Sequence, residues 1–131
     1  MDNEIKTKSI GETGEEISAN FLKKHGYTIL AMNFQNNSGR RLGEIDIIAR
    51  DSETSEIVFV EVKSRDIKKY AHTLPEENIN PQKLRKLSKI AYYYLRERTN
   101  LDAPHRFDAL SVWIDTDLKN AKIKHLKNIF F

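Results

Sequence analysis

The sequence predicts an α/β fold in which two amphipathic helices flank a sheet of mixed strand direction. Apolar residues recur at helical spacing in two segments, and β-branched residues concentrate in short runs between and after them. The resulting order, α-β-β-β-α-β-β, is typical of helices packed on a mixed sheet. A length of 131 residues fits a single domain over 1–131, since domains cluster near about 100–150 residues.

The predicted elements follow in order along the chain. The predicted helices are Ile10–His25 and Pro81–Arg98, and the predicted strands are Tyr27–Phe34, Glu44–Ala49, Ile57–Lys63, Arg106–Ile114 and Ala121–Phe130. The predicted polar connections are Gln35–Leu42, Arg50–Glu56 and Ser64–Asn80. The second helix has the clearest start, because Asn80 can cap its free N–H groups and Pro81 suits the first helical position.

The amino-acid composition limits the kinds of site and the cellular location that this protein can have. The chain has no cysteine, which excludes disulfides, thiolate zinc sites and cysteine nucleophiles and fits a reducing cytoplasm. Its first residues are charged, and no segment approaches about 18 uninterrupted apolar residues, so we expect a cytoplasmic protein without a membrane partner. A formal net charge of +3 permits nucleic-acid binding without requiring it.

Strand periodicity places acidic residues on neighbouring strands. Side chains alternate along a strand, so Glu61 and Lys63 share one face, and Glu44 and Asp46 share one face of the preceding strand. If the two strands form a hairpin with its turn centred near Glu53–Thr54, Asp46 lies opposite Glu61. Their Cβ atoms would then be about 4.5–5.5 Å apart.

Two facing carboxylates repel each other, and a divalent cation offsets that repulsion. The pattern therefore predicts a Mg²⁺ or Mn²⁺ site held by Asp46 and Glu61. Lys63, about 6.6 Å from Glu61 along the strand, could orient a water molecule or stabilise a phosphorane. These residue types suffice for phosphodiester hydrolysis. The alternative, a solvated strand face with a weak ion pair, stays open.

Glu15 is a third candidate ligand. It stands below Leu22 at the edge of the apolar stripe of the first helix, so it can lean toward the sheet. The alternative is an ordinary acidic residue near a helix N-terminus, which the helix dipole favours.

Basic residues form a predicted nucleic-acid interface. Lys83 lies at a helix start, where phosphate can bind, and it is followed by exposed lysines on the outer helix face. Such residues contact backbone phosphates without reading bases, although a solvated helix is the ordinary alternative. The full predicted set is Lys83, Arg65, Lys86, Lys89, Arg40 and Arg41.

Other polar and aromatic residues are expected to be structural. Asp108 is predicted to form an ion pair with Arg106 or a neighbouring lysine, and the four histidines share no metal-binding spacing. Tyr92, Tyr93 and Tyr94 should divide between core and surface, and the pattern gives no ground for base stacking on them.

Several segments together resemble a known family. The sequence reads Gly-Glu at 14–15, GEIDIIA at 43–49, FVEVKSR at 59–65 and Arg-Phe-Asp at 106–108, with Lys83 between them. From about Ile10 to Val112 the chain is similar to the YraN-type family of uncharacterised bacterial proteins. That family resembles archaeal Holliday-junction resolvases and, more distantly, restriction endonucleases and RecB-type nuclease domains, which share the PD-(D/E)XK motif.

The resemblance implies roles for four residues. Asp46 corresponds to the first acid of the motif, Glu61 and Lys63 to its (D/E)XK pair, and Glu15 to the helix carboxylate of the resolvase-like group. Ile45 replaces the proline of the motif. The implied fold is a restriction-endonuclease-like αβββαβ core with a mixed central sheet flanked by helices.

The implied function is a Mg²⁺- or Mn²⁺-dependent nuclease acting on DNA, including branched or single-stranded forms. One alternative is a nucleic-acid-binding module of the same fold with little or no cleavage activity. Another is a structural interaction protein. The expected partner is nucleic acid, with DNA favoured, and a homodimer is left open.

Overall fold

The computed structural model describes residues 8–37, 39–68, 80–99 and 101–129. Its elements are the helices α1 (Ile10–Lys24) and α2 (Pro81–Arg98) and the strands β1 (Tyr27–Phe34), β2 (Ile45–Asp51), β3 (Ile57–Asp66), β4 (His105–Asp115) and β5 (Asn120–Leu126). The predicted α-β-β-β-α-β-β order and the αβββαβ-type core are confirmed.

The five strands form one mixed sheet in chain order, β1-β2-β3-β4-β5. Neighbouring strands are antiparallel except β3 and β4, which run parallel. A parallel pair needs a long crossover, and α2 lies in that connection. The crossover brings the N-terminus of α2 back over the sheet, where it later supplies a lysine to the site.

Element boundaries differ from the prediction mainly at the end of β3. The residues at 64–66, predicted as loop, continue the strand because they pair with β4, for example Ser64 with Val112 and Asp66 with Ile114. Residues 69–79 of that predicted loop lie outside the described residues, as does Phe130 of the last predicted strand.

The sheet separates two apolar clusters. On the α1 side lie Leu22, Ile47 and the even-numbered valines of β3, which confirms the alternation predicted for that strand. On the α2 side the cluster includes Ile45 and Ile48. The alternation predicted for β2 is therefore wrong at its start, because Ile45 and Ile47 join different clusters. Asp46 lies at this break.

Glycine at position 14 allows α1 to lie very close to β3. A Cβ atom built on Gly14 would fall 1.7 Å from Ser64 Oγ and 2.7 Å from Ser64 Cβ, so a larger residue cannot occupy this position without moving the helix. The helix itself begins at a capping box in which Ser9 and Glu12 satisfy each other's backbone N–H groups. This packing places the next residue, Glu15, at the edge of the sheet.

Within the described residues, neither helix has the length and apolar character needed to cross a membrane.

Candidate metal centre

The register of the β2–β3 hairpin brings Asp46 to Glu61. The paired segment runs from Ile47 opposite Val60 to Arg50 opposite Ile57, which is the predicted register. The paired segment ends at Ile47, and Asp46, the next residue of β2, lies close enough to Glu61 for the two carboxyl groups to interact. At this point the backbone N–H of Val62 donates to Asp46 Oδ2 at 2.8 Å, so the Asp46 carboxylate is fixed against β3.

Three carboxylates from different parts of the chain meet beside this hairpin. One oxygen each of Glu15, Glu44 and Asp46 lies within 4.8 Å of the others. Glu15 is the candidate that the sequence allows to lean toward the sheet. Glu44 is not a predicted ligand, although it is predicted to share a strand face with Asp46. Carboxylate oxygens are the ligands that Mg²⁺ and Mn²⁺ prefer, so this donor set fits a divalent cation.

Asn33 of β1 joins two of these carboxylates. Its Nδ2 donates to Glu15 Oε1 at 2.8 Å and to Glu44 Oε1 at 2.9 Å. A further amide, Gln35 Nε2, donates to Glu44 Oε2 at 2.8 Å. Asn33 has φ 52°, a left-handed conformation that asparagine tolerates better than most residues. Nothing in the strand pattern of β1 indicated this role.

Two lysines surround the buried carboxylate of Glu61. Lys83 Nζ lies 2.9 Å from Glu61 Oε1, and Lys63 Nζ lies 3.7 Å from the same oxygen. Lys83 reaches this position from the first turn of α2, where its backbone N–H is capped by Asn80 Oδ1 at 2.9 Å. The ammonium of Lys83 is therefore engaged inside the site, beside the predicted Glu61–Lys63 pair.

The site shifts the ionisation of its members. Burial raises the pKa of Asp46 to about 8, and the negative charges of Glu61 and Glu15 act in the same direction. The hydrogen bond from Val62 and the charge of Lys83 oppose this shift without cancelling it. Burial, followed by the neighbouring Lys83, lowers the pKa of Lys63. At neutral pH and without a cation, the Asp46 carboxyl is therefore mostly protonated.

An open cavity of about 550 Å³ gives access to these residues, and it is lined by Glu15, Asp46, Glu61, Lys63 and Arg65 among others. Arg65 borders it, with its guanidinium Nη1 donating to the backbone oxygen of Ser64 at 2.9 Å.

Of the remaining basic residues of the predicted interface, one contacts the carboxylate cluster and three are exposed. Arg41 approaches the carboxylates, since its Nη2 is 3.6 Å from Glu44 Oε2. Arg40 is exposed in the same loop, and Lys86 and Lys89 are exposed on α2.

Residues 14–112 match the sequence profile described as "Uncharacterised protein family UPF0102". The chain belongs to the UPF0102 family. This confirms the family resemblance predicted from the sequence motifs, and the UPF0102 match includes every member of the cluster from Glu15 to Lys83.

Relatives described as "UPF0102 protein" match over most of their length. The chain is 41% identical to one from Caldicellulosiruptor bescii over 124 residues, covering 94% of this chain and 98% of the relative. It is 42% identical to one from Geotalea uraniireducens, covering 94% and 90%, and 37% identical to one from Clostridium beijerinckii, covering 94% of both. The similarity is thus to whole UPF0102 proteins.

Proposed function

We propose that this UPF0102 protein is a divalent-metal-dependent nuclease acting on DNA phosphodiester bonds, including branched or single-stranded DNA. The observation that carries the proposal is Asp46, a carboxylate whose pKa is raised to about 8 by burial and by Glu61. It lies in a cavity that also holds Lys63. Strongly perturbed acids next to a lysine in a cavity are typical of functional sites.

The cation would be Mg²⁺ or Mn²⁺. Asp46, Glu15 and Glu44 would hold it, with Glu61 at the border of the same cavity as a further ligand. When bound, such a cation acts as a Lewis acid that screens charge developing on phosphorus and makes water more acidic.

The side chains of the site supply the remaining functions. Lys63 is held near Glu61 and can donate to a phosphate oxygen or orient the attacking water. Lys83 pairs with the same Glu61 oxygen at 2.9 Å and compensates its charge. Arg65 and Arg41, at the borders of the site, would contact backbone phosphates and so position the strand without reading its bases.

A cleavage panel tests this proposal. The substrates are linear duplex, flapped, single-stranded and four-way-junction DNA, each incubated with Mg²⁺ or Mn²⁺. We expect Lys63→Ala to lose about 10²–10³-fold in cleavage rate while metal affinity and DNA affinity stay nearly unchanged. Lys63→Arg should also be impaired, because the planar guanidinium is bulkier and does not give up a proton.

The matched control is Lys68→Ala, which removes an exposed lysine that pairs with Asp117 just beyond β3. This variant should cut like the wild type. Equal cleavage by wild type and Lys63→Ala would remove Lys63 from the reaction. No cleavage of any substrate by the wild type at any metal concentration would contradict the nuclease proposal.

The second candidate is a nucleic-acid-binding module of the same fold with little or no cleavage activity. The pairing of Glu61 with both Lys83 and Lys63 favours it, since that carboxylate is already compensated by residues of the chain. Under this alternative the wild type binds the DNA panel and cuts none of it.

A further inference from the structure

The exposed side of α2 carries an aromatic residue between basic ones. Arg85, Lys89, Tyr92 and Arg96 follow one another at spacings of four, three and four residues, which places them along one side of the helix. All four are exposed. Tyr92 is the notable member, because 53% of it is accessible, whereas Tyr94 is buried in the core below.

Tyr92 forms one wall of a cleft of about 400 Å³ whose lining also includes Leu42, Ser88 and Lys89. Three of these residues belong to α2, and Leu42 belongs to the loop before β2. Leu42 contributes an apolar side chain to this lining and Tyr92 an aromatic ring, and Lys89 adds a positive charge.

The loop wall is held in place by hydrogen bonds. Tyr93 on α2 donates its hydroxyl to Asn37 Oδ1, and the Asn37 backbone N–H returns a bond to the same hydroxyl at 3.4 Å. Within the loop, Asn36 Nδ2 donates to the backbone oxygen of Arg40 at 2.8 Å, and the N–H of Leu42 donates to Asn36 Oδ1 at 2.9 Å. The cleft is therefore formed before any ligand arrives.

The cleft and the cluster of carboxylates (Glu15, Glu44 and Asp46) are close together, because they include residues that are only two positions apart in the chain. Leu42 lines the cleft and Glu44 belongs to the carboxylates, so their Cα atoms are at most about 7 Å apart. Between them Gly43 has φ 138°, a region that side chains disfavour, and this lets the two neighbours face different parts of the surface. The guanidinium of Arg41, the residue before Leu42, also lies near the cluster, with its Nη2 atom 3.6 Å from Glu44 Oε2.

We propose that this cleft is a subsite for one unpaired nucleobase, which stacks on Tyr92 while Lys89 and Arg41 contact the flanking phosphates. The inference rests on the proposed function and names its substrate class: single-stranded nucleic acid, or the single-stranded part of a branched molecule. An aromatic face accepts any base, and the basic rim complements the strand's phosphates. A base within a duplex has both faces covered by its neighbours and cannot enter.

Binding without metal tests the subsite directly. Fluorescence anisotropy in EDTA would compare an oligothymidylate with an abasic oligomer of equal length and charge. We expect the wild type to prefer the base-bearing strand by about 5- to 140-fold, the range for one stacked base. Tyr92→Ala should lose this preference, and Tyr92→Phe should keep it because the ring remains. The same pair of oligomers built on ribose identifies which backbone the subsite prefers.

Two further variants separate stacking from charge. Lys89→Gln should weaken both oligomers equally and reduce the slope of log K against log salt by about 0.7, the value for one phosphate contact on a single strand. Leu118→Ala changes an exposed large apolar residue, 70% accessible and remote in sequence from the cleft, and should bind like the wild type.

The outcomes keep the subsite and the proposed nuclease distinguishable. Equal binding of the two oligomers by the wild type, binding of neither, or a preference that survives in Tyr92→Ala would overturn the subsite. Metal-dependent cleavage without any base preference would remove the subsite and leave the nuclease. A base preference that depends on Tyr92, in a protein that neither binds Mn²⁺ nor cuts DNA, would support the subsite and contradict the nuclease.

Discussion

Acidic residues cluster at both ends of the β2–β3 hairpin, but their negative charge is balanced by an arginine at one end only. At the turn end, one guanidinium serves three carboxylates: Arg106 lies 3.0 Å from Asp51, 2.8 Å from Glu56 and 3.0 Å from Asp108. At the open end of the hairpin, away from the turn, Asp46 lies next to other carboxylates. Among the described residues, no arginine donates a hydrogen bond to it.

The side chains of Arg106 and Asp108 are largely buried and have several hydrogen-bond partners each. Arg106 also donates to Tyr27 Oη at 2.9 Å, and its side chain is only 9% exposed. Asp108 is fully buried and accepts further bonds from His125 Nε2 at 2.8 Å and from the N–H of Asn128 at 2.9 Å. Burial would raise the pKa of Asp108, but the bonds from His125 and Arg106 outweigh it and the pKa is lowered. The predicted Arg106–Asp108 ion pair is confirmed.

At the open end, the neighbouring charges shift the pKa of the Asp46 carboxyl in the opposite direction, upward. Burial raises the pKa of Asp46, and the neighbouring Glu61 raises it further instead of lowering it. Burying a charge is costly unless it is paired and hydrogen-bonded, so this end of the hairpin retains an electrostatic cost that the turn end has removed. The comparison indicates that Arg106 stabilises the fold, and the uncompensated Asp46 carboxyl supports the proposal that a cation binds beside it.

The largest expected effect comes from removing the arginine. Arg106→Met should lower the free energy of unfolding by about 3–5 kcal/mol, because it leaves buried carboxylates without their partner. Arg106→Lys should not restore the loss, since an ammonium cannot contact three carboxylates with a fixed fork. Urea unfolding measures this. The exposed Arg85→Met should stay within about 0.5 kcal/mol of the wild type, and a similar small loss in Arg106→Met would contradict the structural assignment.

Added cation should stabilise the protein through the open end. With Mn²⁺ at 100 times its dissociation constant we expect about 2.7 kcal/mol of stabilisation in the wild type, seen as a higher melting temperature, and none in Asp46→Asn. Glu53→Gln, which changes an exposed acid at the turn end, should respond like the wild type. An equal shift in Asp46→Asn would place the cation elsewhere.

The pH dependence of stability should differ between wild type and Asp46→Asn. The pKa of Asp46 is raised from 3.8 to about 8, so the folded state holds a proton that the unfolded state releases. Without metal, its contribution to stability is complete below about pH 4 and is lost as pH rises toward 8. The wild type should therefore lose stability relative to Asp46→Asn, by at most about 1.4 kcal/mol per pH unit. Urea unfolding from pH 5 to 8 measures the difference, and a constant difference would refute the raised pKa.

The smallest effect is expected on the free energy of DNA binding. We expect DNA to contact the exposed lysines of α2. Changing Lys86 and Lys89 to glutamine together should flatten the slope of log K against log salt by nearly two units, at about 0.9 per phosphate contact on duplex DNA. The matched control changes Lys23 and Lys24, two exposed lysines at the end of α1. Equal effects from both pairs would argue against a preferred face.

The sequence by itself determined the order of elements and the residues at the centre of the site. Alternation along β3 placed Glu61 beside Lys63, and a simple hairpin count placed Asp46 opposite Glu61. The β3 alternation and the hairpin register from Ile47 to Arg50 are confirmed, because strand alternation and a short antiparallel connection are local properties, decided by residues close together in the chain.

Only the tertiary structure decided what surrounds that centre. Asn33, in a left-handed conformation on β1, hydrogen-bonds to Glu15 and Glu44. Lys83 reaches Glu61 because the α2 crossover returns its first turn to the sheet. Likewise, three consecutive tyrosines cannot reveal which of them is exposed until the loop before β2 packs on α2 beside Tyr92. These contacts join residues far apart in sequence, and their geometry depends on how whole elements pack.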